Sequence, residues 1–210
     1  MYAEQEDVYY YITVMNENYV QPAMPAGVEQ GILKGMYKLQ SGGRKKLRAT
    51  LMGSGTILRE CQAAAEMLAA DFGVSADVYS VPSFAELRRD AIACDRWNML
   101  PPADESRRPY VQTLLADADG PFIAATDYMR LVPDQVRQWV PGRYVTLGTD
   151  GFGRSDARAA LRQHFEVDRR YIVVATLHAL AADGLLPPAK VEAAIVKLGI
   201  DPAKPNPLTV

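Results

Sequence analysis

The chain's apolar pattern begins with Val8-Tyr9-Tyr10-Tyr11-Ile12-Thr13-Val14-Met15. This unbroken run of β-branched and aromatic residues reads as a buried strand. Asn16-Glu17-Asn18 breaks the run, and Pro22, Pro25 and Gly27 predict a loop or linker. Residues 27–39, interrupted by Gly31 and Gly35, have weak helical preference, and residues 41–46 read as an exposed turn.

Beyond that turn, strand and helix patterns alternate. Residues 47–52 predict a strand that runs through Gly53-Ser54-Gly55 into a helix over 56–72, where Ile57, Cys61, Ala64, Leu68 and Phe72 form one apolar stripe. Gly73 stops that helix, and a strand follows at 76–80. Ser83 and Glu86 have the spacing of a capping box, so a helix should start at Phe84 and carry Leu87 and Ala91 inward until Pro101-Pro102 ends the region. Residues 110–115 predict a helical turn and 121–126 a strand. A helix holding Gln135, Val136 and Trp139 should start near Pro133, because proline is tolerated only in a first turn. Residues 144–147 predict another strand. Ser155 is then expected to cap a helix reaching Phe165, and Asp168 a helix reaching Ala182 with Val173, Leu177 and Leu180 inward. Pro188 opens a last helix with Val191, Ile195 and Leu198 on one face, and three prolines after Asp201 predict an extended tail. Such alternation implies βαβ crossovers: an α/β fold in three α/β/α layers around a mostly parallel sheet of four to five strands.

Composition narrows the class. The 210 residues, 49% apolar and 23% charged, are those of an ordinary globular chain. With 23 basic against 25 acidic residues there is no cationic excess for a nucleic acid. The acidic start, Glu4-Gln5-Glu6-Asp7, is unlike a signal peptide, and residues 171–182 are too short an apolar stretch to span a bilayer. A cytoplasmic protein is expected, with Cys61 and Cys94 as buried core thiols.

Candidate chemistry is sparse. Gly53-Ser54-Gly55 stands where a dinucleotide pyrophosphate would dock, but Leu58 replaces the third glycine and no acidic residue ends the next strand, so it reads as a tight turn. His164 and His178 read as structural, and Asp127 as a cap or solvated charge. No metal-ligand spacing and no nucleophile elbow occurs. The most unusual run is Gly148-Thr149-Asp150-Gly151-Phe152-Gly153-Arg154-Ser155-Asp156, between a strand's carboxyl end and a helix. The run reads as a structural turn or subunit contact, with a ligand loop as the alternative; Asp150, Phe152 and Arg154 are its candidates for a subunit interface or cleft rim, with Arg154 and Asp156 as a local pair.

Several runs, in order along nearly the whole chain, carry a resemblance. They include residues 9–19 and 53–60, Ser83 to Asp90, Asp95-Arg96-Trp97-Asn98-Met99-Leu100, Ala125-Thr126-Asp127-Tyr128-Met129 and Gly148 to Asp156. Together they resemble the C-terminal end of the homodimeric bacterial pyruvate dehydrogenases, the thiamine-diphosphate-dependent first components of the pyruvate dehydrogenase complex. The resemblance implies that residues 1–20 end a pyrimidine-binding middle domain, 21–43 form a linker and 44–210 a transketolase-like C-terminal domain. It implies a parent enzyme that decarboxylates pyruvate and passes the acetyl group to the lipoyl arm of dihydrolipoyl acetyltransferase. Thiamine diphosphate and Mg²⁺ would be bound elsewhere in that parent, because the GDG and Asn-Asn signature of the diphosphate site is missing from this sequence. No catalytic, cofactor or metal residue is therefore expected here. The segment would support dimerisation and the active-site rim and be inactive alone. The alternative is a free-standing docking module of the complex.

Overall fold

The computed structural model describes residues 2–9, 17–19, 23–100 and 105–210. Five strands form one sheet: β1 (Tyr37–Gln40), β2 (Leu47–Gly53), β3 (Val74–Ser80), β4 (Phe122–Ala125) and β5 (Tyr144–Leu147), in the order β1-β3-β2-β4-β5. All neighbours pair in parallel except β1, which lies antiparallel on the β3 edge with a register irregularity between Lys38 and Gln40. The expected α/β fold with a mostly parallel sheet is therefore the fold observed.

The two-residue period of the strands feeds two cores. Ala49, Leu51, Val74, Ala76, Val78, Ile123 and Ala125 meet α2 (Leu58–Asp71), α7 (Arg169–Ala182) and α8 (Pro188–Lys197) on one face. Met52, Tyr79, Phe122, Ala124 and Tyr144 meet α3 (Phe84–Met99), α4 (Tyr110–Leu114) and Trp139 on the other. With apolar cover on both faces, β4 (Phe-Ile-Ala-Ala) is wholly apolar, and β3 is buried at every position although it holds Ser75, Asp77 and Ser80. Asp77 is tolerated within β3 because Lys38 Nζ (2.8 Å), the Gly42 amide (2.7 Å) and Arg48 donate to its carboxylate.

Several expectations require correction. The residues of weak helical preference hold a one-turn helix, α1 (Glu29–Leu33), and then the edge strand β1. The helix expected near Pro133 begins at Leu131 and is split into α5 (Leu131–Asp134) and a 3₁₀ turn over Arg137–Trp139. The Val136 amide there turns to the Pro133 carbonyl rather than continuing the α-helical ladder. Ser155 caps nothing: α6 (Arg158–His164) starts after Ala157, whose amide is taken by Asp156 Oδ1 (2.6 Å), and no ion pair joins Arg154 to Asp156 among the described residues. The capping box is half made. Ser83 Oγ accepts from the Glu86 amide, while the Glu86 carboxylate pairs with Arg89. The tail is not simply extended, since Pro207–Thr209 form a 3₁₀ turn with Pro207 buried. Asp168 does cap α7, accepting from the Arg170 and Tyr171 amides. Of the expected strand over residues 8–15, only Val8 and Tyr9 are among the described residues, and Pro101-Pro102 lies outside them. Cys61 and Cys94 are buried free thiols.

Candidate functional site at the carboxyl edge of the sheet

From β2 the chain crosses to β3 on one side, while β4 and β5 lie on the other. The carboxyl ends of β2 and β4 therefore flank the topological switch point, where open α/β sheets place ligands. Here Gly53-Ser54-Gly55 makes a tight turn. A side chain at Gly53 would come within 2.6 Å of Leu58 Cα, and Gly55 has φ +56. Across the gap, Asp127 Oδ1 lies 3.1 Å from where a Gly55 Cβ would stand. An open cleft of about 740 Å³ follows, lined among others by Thr56, Ile57, Asp127, Thr149, Arg154 and Leu161.

The glycine-rich run after β5 forms its second wall. The Thr149 amide and hydroxyl donate to the Tyr128 and Asp127 carbonyls (2.9 and 2.7 Å), and Asp150 accepts from the Arg130 amide at 3.1 Å. Gly148 permits this closeness, since its Cβ would lie 2.6 Å from the Arg130 nitrogen. Gly151, at φ +106, receives the C-terminal tail, whose Pro207 carbonyl leaves no room for a side chain there. The three candidates of this run thus separate. Asp150 ties the β4 and β5 loops together, Phe152 is 76% exposed, and Arg154 lines the cleft.

α6 is the third wall, with Arg158 and Arg162 one turn apart on the cleft side. The Arg162 guanidinium donates to Thr56 Oγ1 (2.8 Å), Glu17 (3.2 Å) and Glu60 (3.4 Å). Glu60, on the first turn of α2 and buried, also accepts from the Arg169 amide (3.0 Å) and from its Nε (2.8 Å) and guanidinium NH2 (3.2 Å). Burial pushes the Glu60 carboxyl up, but these hydrogen bonds and the Arg169 and Arg162 charges outweigh it and hold the carboxyl below its ordinary value. Glu17 in turn faces Arg59 (3.3 Å) and Arg158 (3.7 Å), and the Tyr19 ring lies 4.3 Å from the Arg59 guanidinium. Burial raises the Asp127 titration, with its own backbone hydrogen bond and Arg162 opposing.

The arrangement can hold an anion; a cation site is not formed. Among the described residues no three His, Cys, Asp or Glu side chains come together as a metal cage. His178 is exposed on α7, and His164 stacks edge-on against Phe165. Sequence reasoning located Arg154 but missed Thr56, Glu60, Arg158 and Arg162, and treated Asp127 as a cap or solvated charge.

Residues 35–168 match the family described as the transketolase-like TK C-terminal domain. Over 210 residues, 99% of this chain, the sequence is 57% identical to a protein of Pseudomonas aeruginosa named pyruvate dehydrogenase E1 component. It is 55% identical over 209 residues, again 99% of the chain, to the protein of that name from Escherichia coli K12. The chain spans about a quarter of the length of these relatives, 24% and 23%. Among solved structures, a Pichia stipitis transketolase in complex with a sugar phosphate superposes with a TM-score of 0.50 at 18% identity, covering 75% of this chain and 19% of the transketolase. That likeness concerns the fold alone.

Proposed function

The chain belongs to the transketolase-like C-terminal domain family, and from that premise we propose that it is the C-terminal part of a pyruvate dehydrogenase E1 component. The observation that carries this reading is identity of 57% running through 99% of the chain. In this reading residues 1–20 end the middle domain, 21–43 are the linker and 44–210 the C-terminal domain. The parent enzyme decarboxylates pyruvate and delivers the acetyl group to the lipoyl arm of dihydrolipoyl acetyltransferase. It does so in the cytoplasm and as a homodimer. Among the described residues no helix is long and apolar enough to cross a membrane.

Thiamine diphosphate supplies the electron sink for decarboxylation in that parent. The residues described here do not fit a site for it or for Mg²⁺: arginines line the switch-point cleft, and Asp127 is its lone carboxylate. No chemical step is therefore assigned to this chain. Its part is architectural. Phe152, with the exposed Tyr128, Met129 and Leu131, offers an apolar surface for the subunit interface. Asp150 and Arg154 shape the rim beside it.

A chimera tests the reading. This chain replaces the matching C-terminal quarter of the Pseudomonas aeruginosa protein, and pyruvate-dependent decarboxylation with thiamine diphosphate is assayed. Retained activity is expected; a folded, dimeric chimera without it would refute the assignment. The 210-residue chain alone should show no Mg²⁺-dependent binding of thiamine diphosphate by titration calorimetry.

A further inference from the structure

We propose that the switch-point cleft binds a small organic anion, one bearing phosphate or carboxylate groups on an apolar body. The first support is charge. The guanidiniums of Arg154, Arg158 and Arg162 line the cleft against one carboxylate, Asp127, while the Glu17 and Glu60 carboxylates that pair with Arg158 and Arg162 are themselves shared with Arg59 and Arg169. A local positive surplus on a chain of net charge −2 is a focused field, not a by-product of basic composition.

The second support is how those charges are held. Glu60 takes both oxygens' worth of hydrogen bonds from Arg169 and Arg162, and Glu17 takes Arg59 and Arg162. Arg154 has no ion pair among the described residues and faces the cleft. A guanidinium fork aimed into a cavity matches the two oxygens of a carboxylate or phosphate. Arg162, fixed from three sides, forms a rigid floor to that side of the site rather than a flexible arm.

The third support is shape. Ile57, Leu161, Phe165 and Val167 give the cleft an apolar wall next to the arginines. A volume of about 740 Å³ suits a ligand with a body as well as a charge, and inorganic phosphate would leave most of it empty. At Gly153 nothing lies within 4 Å of the Cβ position, so the backbone is open to a ligand there. Asp127, on the β4 side, disfavours a bare anion and suits a ligand that carries a hydroxyl or amino group away from its charge. The site also lies where the crossover directions of the sheet diverge.

Titration calorimetry on the 210-residue chain, at about 50 mM salt to limit screening, tests this with four probes: ADP, citrate, pyrophosphate and adenosine. Saturable binding of ADP or citrate is expected, with ADP favoured for phosphate chemistry and citrate for carboxylate chemistry. Pyrophosphate should bind more weakly than the better of the two, and adenosine not at all. Arg154→Gln should weaken the better probe about tenfold, the scale of one charge-assisted contact, with an unchanged melting temperature because Arg154 is exposed. Lys45→Gln, in the exposed turn before β2, should leave binding unaltered. Three outcomes overturn the proposal: no saturation by any anion, equal affinity in Arg154→Gln, or an equal loss in Lys45→Gln.

Discussion

Replacing Glu60 by Gln removes one charge from the most heavily bonded carboxylate of the cleft. The side chain is 6% exposed and accepts three bonds from Arg169 and one from Arg162. Removing one partner of a fully buried ion pair costs about 3–5 kcal/mol. That range is too high here, because the Arg169 side chain is 48% exposed and can return to water. Arg162, at 15% exposure, cannot do so freely, but it keeps Glu17 and Thr56. What is lost is a charged acceptor for the first amide of α7 and two guanidinium contacts, together about 2 kcal/mol. For a chain of this size that lowers the melting temperature by roughly 4–8 °C. The pH dependence gives a second, independent readout. The folded carboxyl titrates below its unfolded value. Its contribution is therefore complete above the unfolded value of about 4.3 and is lost as pH falls through the lower folded value. Thermal melts of both proteins should differ most near about pH 7 and converge as the pH is lowered toward about 3. A difference under about 0.5 kcal/mol at neutral pH, or one that does not shrink in acid, would refute the reasoning.

Other expectations follow from the same kind of argument. Asp77→Asn should cost about 1–2 kcal/mol and release the Gly42 amide to hydrogen exchange, because Asp77 joins Lys38 of β1 to the turn after it. Since Lys38 and the Gly42 amide hold the Asp77 carboxyl below its ordinary value against burial, that difference should also shrink in acid. Gly151→Ala should cost about 1–2 kcal/mol from its left-handed backbone alone. It should also expose residues 202–210 to proteolysis, since the new Cβ meets the Pro207 carbonyl. Cys61 and Cys94 are both buried, and burial pushes both thiols up, so both should resist a thiol reagent until the chain unfolds, Cys61 the more completely because it is fully buried.

How much of the fold could be read from the chain depended on where the stabilising contacts are made. β2, β3, β4 and β5 were legible because both faces are buried and each strand is rich in apolar and β-branched residues between clear breaks, and Asp168 because a cap is a local device. β1 was not. Tyr-Lys-Leu-Gln is too short and mixed to announce itself, and it is a strand because β3 offers an unpaired edge and Asp77 a partner for Lys38. The break after Pro133 and the failure of Ser155 to cap share a cause. Both depend on which neighbouring carbonyl or carboxylate captures an amide first, and Pro133 and Asp156 did so.

The cleft shows the same division at the level of chemistry. Its loop was visible as a glycine-rich run, because close backbone approach demands glycine wherever it occurs, and Gly148 and Gly151 are each hemmed in by backbone. Its charge was not visible, because Arg59, Arg162 and Arg169 belong to three helices and meet only where α2, α6 and α7 converge on Glu60 and Glu17. Each arginine taken singly is an ordinary solvated residue of a near-neutral chain. Packing of α2 against α7, which share the core on one sheet face, brings Glu60 to the first turn of α7. The burial of Glu60 there then fixes Arg162 against Thr56 at the mouth of the switch point. The hydrophobic pattern that builds the sheet thus also sets the position of the guanidiniums, so an anion entering the cleft would meet donors already held by contacts made for stability. That prior ordering would remove part of the entropic cost of binding such an anion.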